Sequence, residues 1–210
     1  TWLRAMCDAQ RDGRAVVGGR VEIREDASPV DWAFYFVDFF RYAAPVAEGP
    51  SPSLTVCNAA YQREHLDAIR DTWHELFHET AVNEALRARF GDLWLVPASE
   101  VTMRRHVTFR EAVRERYAFG RLFGCTRIDF CSGTTRLFYS ATAPALPVLL
   151  LGRMAAKGLG ARALRRPFLR ALPALVVLVL AWSWGEWLGY LTGRRPRSLV
   201  AAQQLRDRPA

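Results

Sequence analysis

Apolar residues recur at helical spacing through residues 73–90, and Gly91 then ends the pattern. The same spacing predicts helices at 2–10, 63–69 and 109–123, and the aromatic-rich stretch 31–42 predicts a helix packed against a large apolar surface. Short apolar runs predict strands at 15–17, 54–57, 93–96 and 100–103. Gly18 and Gly19 predict a tight turn after the first of these strands. Helices that alternate with short strands indicate an α/β layer architecture.

The apolar pattern changes at residue 137. Residues 137–152 carry no charge but are interrupted by Pro144 and Pro147, which predicts a short span or a re-entrant segment. Residues 171–193 carry only Glu186 as a charge and hold three tryptophans near one end, which predicts a transmembrane helix with an interfacial aromatic belt. The chain therefore divides into an α/β region at 1–136, a membrane-associated region at 137–193 and a basic tail at 194–210. Arginines flank the second run on both sides, so the membrane topology stays open.

The net charge of +8 is unevenly distributed. Residues 1–136 carry 18 Arg against 19 Asp and Glu, whereas residues 137–210 carry 11 Lys and Arg against Glu186 and Asp207. This distribution is typical of a neutral domain joined to a membrane-contacting tail, and it argues against a nucleic-acid binder. The four cysteines lack C-x-x-C spacing and are expected to be reduced thiols.

The segment His74-Glu75-Leu76-Phe77-His78 matches the H-E-x-x-H motif of zinc proteases. On a helix, two histidines four residues apart share one face and can bind Zn²⁺, while the glutamate activates the bound water. The motif fixes only three positions, and the spacing downstream does not supply the third histidine of a metzincin. A membrane zinc protease is therefore one hypothesis.

A second pattern covers residues 1–136 more broadly. It comprises Val17-Gly18-Gly19, then Cys57 to Arg63 (CNAAYQR), then His78-Glu79-Thr80 at the head of a helix, and it continues through Pro97, Val101 to His106, and Arg116-Tyr117 with Gly120-Arg121. In order and spacing it resembles the C-terminal half of the catalytic domain of family-2 glycosyltransferases, which have the GT-A fold. The segment 184–190 (WGEWLGY) resembles the membrane tail of a bacterial subgroup of these enzymes.

The resemblance implies inverting transfer from a nucleotide-diphospho-sugar to an acceptor hydroxyl, with Glu79 as the catalytic base. Thr80 departs from the family, which has a second acid there, and Glu75 or Glu84 remain alternatives for the base. His106 matches a histidine that contacts the metal or the diphosphate. The other positions that match substrate-binding residues are Gly18, Gly19, Asn58, Arg63, His78, Arg116 and Arg121. For the two arginines of the last helix, a solvated basic face is the alternative.

The resemblance also implies a divalent metal, Mg or Mn, a nucleotide-diphospho-sugar donor, a lipid or glycan acceptor, and a cell-membrane location with the catalytic domain in the cytoplasm. The D-x-D metal motif of the family does not occur in these 210 residues. Together with the start at Thr1, this leads us to expect an N-terminally truncated portion of such an enzyme. A non-catalytic membrane-anchored module is the third hypothesis.

Overall fold

The computed structural model describes residues 1–75, 77–129 and 131–194. Nearly all of the predicted basic tail at 194–210 lies outside these residues. The elements in chain order are α1 (Trp2–Arg11), β1 (Val16–Ile23), α2 (Pro29–Phe39), β2 (Gly49–Ser51), a 3-10 turn (Val56–Asn58), β3 (Ala59–Tyr61), α3 (Arg63–Ala68), α4 (Arg70–Trp73), α5 (Glu79–Phe90), β4 (Leu93–Met103), α6 (Phe109–Asp129), α7 (Gly133–Thr142), a 3-10 turn (Ala143–Ala145), α8 (Leu146–Gly160) and α9 (Arg162–Thr192).

The chain forms an α/β structure whose four-stranded sheet is mixed, as the alternation of elements predicted at the coarse level. The strand order is β2-β4-β1-β3. The two central strands, β1 and β4, pair in parallel, and each has one antiparallel partner at the edge. The apolar side chains of Met6, Val17 and Val96 form a core cluster between α1 and this sheet.

Three predicted boundaries were wrong. Gly18 and Gly19 do not form a turn but lie inside β1, which continues to Ile23 because β4 and β3 pair with it on both sides. The predicted strands 93–96 and 100–103 are one strand, β4, in which the register shifts opposite Gly19 and Arg20 rather than the strand ending at Pro97. The predicted strand 54–57 is a loop leading into a 3-10 turn, and the strand there is β3.

The contacts divide the chain into two compact units. The first unit contains Thr1–Glu25 and Arg41–Arg104, with the sheet, α1 and α3 to α5. The second contains Asp26–Phe40 and the chain from Arg105 onward, with α2 and α6 to α9. This division does not follow a boundary at residue 136. Inside the second unit, α2 and α6 pack against α9. The packing therefore groups α2 and α6 with the C-terminal helices, whereas the charge pattern places them with the neutral region 1–136.

Two helical stretches are long and apolar enough to cross a membrane. The first is Gly133–Gly160, which joins α7 and α8, and the second is α9, Arg162–Thr192. The first includes the uncharged run 137–152 and extends beyond it at both ends. Pro144 and Pro147 are accommodated because they lie at the 3-10 turn and at the first turn of α8, where a proline removes no helical hydrogen bond.

Candidate functional site

Glu79 is the first residue of α5 in the first unit, and its half-buried carboxylate turns back toward the loop before β3. One carboxylate oxygen accepts a hydrogen bond from the backbone N–H of Val56 at 2.8 Å and a longer one from the Thr55 hydroxyl at 3.4 Å. Burial raises the pKa of Glu79, and these two hydrogen bonds lower it by less. The result is a carboxylate that is held in place by neutral donors and is more basic than an exposed glutamate.

Two tyrosines belong to the same cluster. The hydroxyl of Tyr42 lies 3.2 Å from the Ser53 hydroxyl, and burial together with the negative charge of Glu79 raises the pKa of Tyr42 to about 12. The same two causes raise the pKa of Tyr61, whose buried hydroxyl has no hydrogen-bond partner among the described residues. Both phenols therefore stay protonated at neutral pH and are available as hydrogen-bond donors beside Glu79.

Asn58 and the glycine pair are occupied by contacts within the first unit. The buried amide of Asn58 donates to the carbonyl oxygens of Arg20 at 2.8 Å and Ser99 at 2.9 Å, and it accepts from the indole of Trp2 at 2.8 Å. A Cβ at Gly19 would lie 1.8 Å from the Ser99 carbonyl oxygen. The space beside Gly19 is therefore filled by backbone of the chain itself.

Gly18 and Arg63 differ in what surrounds them. A Cβ at Gly18 would lie 2.6 Å from the Leu54 side chain, so this position is filled by core packing. Arg63 is the first residue of α3, is exposed, and lines a shallow open depression with Gln62, Glu64 and Asp67. Among the positions matched to substrate-binding residues in this unit, Arg63 is the one that faces solvent.

The helix predicted over 73–90 begins only at Glu79, so the two histidines of the H-E-x-x-H match do not lie on one helix. His74 follows the short helix α4, with its Nδ1 3.1 Å from the Arg70 carbonyl oxygen. His78 has an extended backbone before α5, and the described residues between the two histidines are not helical. Glu75 is exposed. The shared helical face on which this motif depends is absent from the described residues 74, 75, 77 and 78.

The remaining predicted site residues lie in the second unit. Arg116 on α6 is buried, forms an ion pair with Asp38, lies 3.1 Å from Glu115, and stacks 4.4 Å from the centre of the Phe34 ring. The expectation of a solvated basic face is therefore wrong for Arg116, because α2 supplies an acid and an aromatic ring to cover it. Arg121 is half-buried and donates to the carbonyl oxygen of Arg194 at 3.0 Å.

His106 lies in the loop before α6, with its side chain 73% exposed and its Nδ1 3.5 Å from an oxygen of Asp31. Asp31 itself accepts backbone hydrogen bonds from Val107 and Ser28 and caps the first turn of α2. Within residues 1–75, 77–129 and 131–194, no group of three or more His, Cys, Asp or Glu side chains is placed to hold a metal ion.

Comparisons with protein-family models, with curated proteins and with solved structures found no match to the chain. The resemblance to family-2 glycosyltransferases therefore rests on the residues that carry it.

The sequence pattern pointed to Glu79 but not to the groups around it. Thr55 lies in a loop and carries no motif, and its hydroxyl reaches the carboxylate because the chain folds back between β2 and β3. Ser53 and Tyr42, whose hydroxyls contact each other, also lie in loops without a motif. Tyr61 belonged to the matched segment 57–63 without a role of its own. A hydroxyl-bearing residue in a loop gives no periodic signal, so only the tertiary fold reveals this part of the cluster.

Proposed function

We propose that the chain is the C-terminal part of a membrane-associated family-2 glycosyltransferase with a GT-A fold. It would carry the acceptor side of an inverting transfer from a nucleotide-diphospho-sugar to a lipid or glycan hydroxyl. The observation that carries the proposal is the environment of Glu79, whose pKa is raised by burial and whose orientation is held by Val56 and Thr55. A catalytic base works best when its pKa approaches the working pH, and burial moves this carboxylate in that direction.

In the proposed reaction the Glu79 carboxylate takes the proton of the acceptor hydroxyl. The acceptor oxygen forms a bond to the anomeric carbon from the side opposite the leaving group. The bond between that carbon and the diphosphate oxygen breaks, and its electron pair leaves with the nucleoside diphosphate. Because a single displacement occurs, the anomeric configuration is inverted. Glu79 ends protonated and returns its proton to water.

The hydrogen bond from Val56 leaves the second carboxylate oxygen of Glu79 without an assigned partner, so that oxygen is the one that would face the acceptor. The hydroxyls of Tyr42 and Tyr61 are neutral donors close enough for the charge of Glu79 to affect both. We assign them the task of positioning the acceptor. Their raised pKa values keep them from competing with Glu79 as bases.

The metal expected from the resemblance enters no step of this mechanism, because the described residues do not supply a ligand set for it. On the acceptor side, the exposed Arg63 is the one matched residue of the first unit that is open to a ligand. The chain that would carry the acceptor side also contains both candidate membrane helices. This supports an acceptor located at the cell membrane. A cytoplasmic orientation follows from the proposed use of nucleotide sugars.

A non-catalytic membrane-anchored module is the second candidate, and one specific observation favours it. Asn58, Gly19 and Arg116 are all engaged by other parts of the chain. If the matched residues serve packing alone, the chain would resemble the family in its fold and would have no catalytic activity. The zinc-protease hypothesis loses its support, because His74 and His78 do not share a helix.

The test is a transferase assay on the whole proposed enzyme, of which this chain would be the C-terminal part, in its native membranes, with UDP-glucose, UDP-N-acetylglucosamine and GDP-mannose as donors. We expect release of UDP or GDP that depends on added membrane lipids. Glu79→Gln should lower the rate about 100-fold or more, because it removes the proton acceptor but keeps the shape of the side chain.

Glu75→Gln is the matched control, since Glu75 is only four residues away and its side chain is 89% exposed. It should leave the rate unchanged. No nucleotide release with any of the three donors would overturn the transferase proposal in favour of the non-catalytic module. A rate lost in Glu75→Gln and kept in Glu79→Gln, together with stoichiometric zinc, would instead restore the protease.

A further inference from the structure

Helix α9 has one apolar face that nothing in the described structure covers. Leu169, Val177, Leu180, Trp184 and Leu191 are each 39–55% exposed and follow one another at helical spacing. The opposite face is fully buried, as shown by Ala171, Leu175, Leu178 and Val179 at 0% exposure. A helix inside the core of a soluble protein would be covered all round, so this stripe requires an apolar partner.

The covered face of α9 packs closely against α6. A Cβ at Gly120 would lie 2.2 Å from the carbonyl oxygen of Trp182, and one at Gly124 would lie 2.4 Å from that of Glu186. From the other side, a Cβ at Gly185 would lie 2.2 Å from the Tyr117 carbonyl oxygen. Because residue numbers rise together along both helices, α6 and α9 run parallel. Any position of α9 relative to a membrane therefore fixes the position of α6.

The first turns of α6 carry exposed charges at Arg110, Glu111 and Arg114. Arg114 precedes Gly120 by six residues, which is about 9 Å at the helical rise, so it lies level with the middle of α9. If α9 crossed a bilayer through the apolar run that follows Arg170, the middle of that run would lie near Trp182. Arg114 would then lie inside the hydrocarbon, about 9 Å from its centre, and Arg110 and Glu111 would lie near its edge. A charged side chain inside the hydrocarbon is costly, and α6 carries several along the length that packs against α9. The charges on α6 are therefore incompatible with a perpendicular α9.

The charges around the apolar faces are of one sign. Between residues 131 and 194 the only acid is Glu186, which is buried, whereas exposed arginines flank the start of α9 at Arg162, Arg165, Arg166 and Arg170. Helix α8 repeats the pattern, with exposed Val148, Leu149 and Leu159 on one face and Arg153 beside them. An apolar face with a basic border fits the surface of an anionic lipid bilayer.

We infer that α8 and α9 lie parallel to the surface of an anionic bilayer, with their exposed apolar faces at the boundary between headgroups and acyl chains, and that α9 does not cross it. Trp184 then lies at the interface with the rest of the stripe, and the charges of α6 remain in the aqueous or headgroup layer. This inference rests on the packing of α6 against α9 and is independent of the proposed transferase activity.

The decisive measurement is the depth of nitroxide labels in vesicles of phosphatidylcholine and phosphatidylglycerol. Labels are placed one at a time in the full chain through Leu169→Cys, Val177→Cys and Leu191→Cys, with Cys7, Cys57 and Cys131 changed to Ser and the buried Cys125 to Ala. Power saturation with oxygen and a nickel complex gives each depth. We expect all three labels at similar depths, about 5–10 Å below the headgroups.

A crossing helix gives a different result. Residues 169 and 191 would then be separated by about 33 Å along the membrane normal, with residue 177 deep in the hydrocarbon. Arg114→Cys is the matched control on α6, and its label should remain accessible to the nickel complex. A deep label at 177 or at 114 would overturn the inference. So would failure to bind these vesicles, or binding replaced by a stable dimer without lipid.

A second measurement needs no substitution. Trypsin added outside sealed vesicles should cut the unmodified, bound chain both near Arg165 and Arg166 and after Arg194, because both ends of α9 then face the same side. Mass spectrometry of the fragments identifies the cuts. Protection of one end until the vesicles are opened by detergent would show that α9 crosses the bilayer and would overturn the inference.

Discussion

The two compact units stabilise buried polar groups in different ways. In the sheet-containing unit, buried amides bind backbone carbonyl oxygens, as Asn58 does with Ser99 and Asn83 does with Leu54 at 2.7 Å. In the helical unit, the buried Arg116 is covered by Asp38, Glu115 and an aromatic ring, while the buried Asp31 accepts hydrogen bonds from backbone N–H groups. Loops beside a sheet leave backbone carbonyls that need donors, whereas helices satisfy their own, and the buried guanidinium of Arg116 needs acids to compensate its charge.

This difference has a consequence for the candidate site. Glu79 lies in the unit that uses neutral donors, so burial raises its pKa and no cation offsets that effect among the causes of the shift. Arg116 lies in the unit that pairs charges and is surrounded by them. A carboxylate that is buried without a cation is suited to accept a proton, and an ion-paired arginine is suited to hold helices together.

The largest effect that separates the two units should come from the ion pairs. Arg116→Met should destabilise the helical unit by about 4 kcal/mol, because it removes a guanidinium that is 4% exposed and forms ion pairs with Asp38 and Glu115. Arg20→Met is the matched change in the sheet unit, where Arg20 and Glu100 are 35% and 39% exposed, and it should cost less than about 1 kcal/mol.

Urea unfolding in a mild detergent, followed by circular dichroism, measures both free energies. The double variant Arg116→Met with Asp38→Leu should recover part of the loss, since an apolar side chain then faces the introduced methionine in place of the carboxylate. Equal costs for Arg116→Met and Arg20→Met would show that the two units do not differ in this respect.

An intermediate effect is expected at the close backbone contacts. Gly19→Ala should cost about 3 kcal/mol, because the added Cβ meets the Ser99 carbonyl oxygen inside a hydrogen-bonded sheet that cannot move apart. Gly185→Ala should cost about 1–2 kcal/mol, because α6 and α9 can separate slightly along their whole contact. Thermal unfolding of the two variants gives the comparison.

Gly152→Ala serves as the control, since nothing lies within 4 Å of its added Cβ and alanine favours the helix. It should be neutral or slightly stabilising. If Gly185→Ala proves more damaging than Gly19→Ala, the helix pair is the more rigid of the two contacts.

The smallest effect concerns the pH dependence of stability. The pKa of Glu79 is raised in the folded protein, so the folded state keeps its proton to a higher pH than the unfolded chain does. The free energy of unfolding should therefore fall as the pH rises from about 4.3, the pKa of glutamate in the unfolded chain, through the pKa of Glu79 in the folded protein. The Glu79→Gln variant should not show this decrease. Urea midpoints of both proteins across that range test the sign.

A matched Glu84→Gln change, at an exposed position on the same helix, should leave the pH profile unaltered. A wild-type protein that gains stability relative to Glu79→Gln as the pH rises would contradict the raised pKa, and with it the argument for Glu79 as a base.

The elements with strong periodicity were predicted well, and the errors fall where partners decide. Helices α1, α2, α3 and α6 begin within two residues of the predicted positions, because amphipathic spacing and capping residues such as Ser28 act locally. The turn expected at Gly18 and Gly19 was wrong, since flanking strands extend β1 through them. The helix expected from residue 73 starts at Glu79, after a break that the apolar spacing does not reveal.

The candidate site shows the same division. Glu79 was predicted from its position in a motif, but only the fold brings the Thr55 hydroxyl to its carboxylate and places Tyr42 and Tyr61 where its charge raises their pKa values. Asn58 and Arg116 were expected to bind substrate, but both side chains bind other parts of the chain. Their partners, Ser99 and Asp38, are 41 and 78 residues away in the sequence, so no local pattern reveals them.

By itself, the sequence determined the alternation of helices and strands, the separation of charge between the two parts of the chain, and the presence of long apolar helices near the C-terminus. These properties depend on the order of neighbouring residues. The tertiary structure alone decided which side chains are buried together: that Glu79 sits among neutral donors, that Arg116 is paired, and that α9 leaves one apolar face open beside the charges of α6. Burial and pairing depend on residues far apart in the chain, and periodicity carries no information about them.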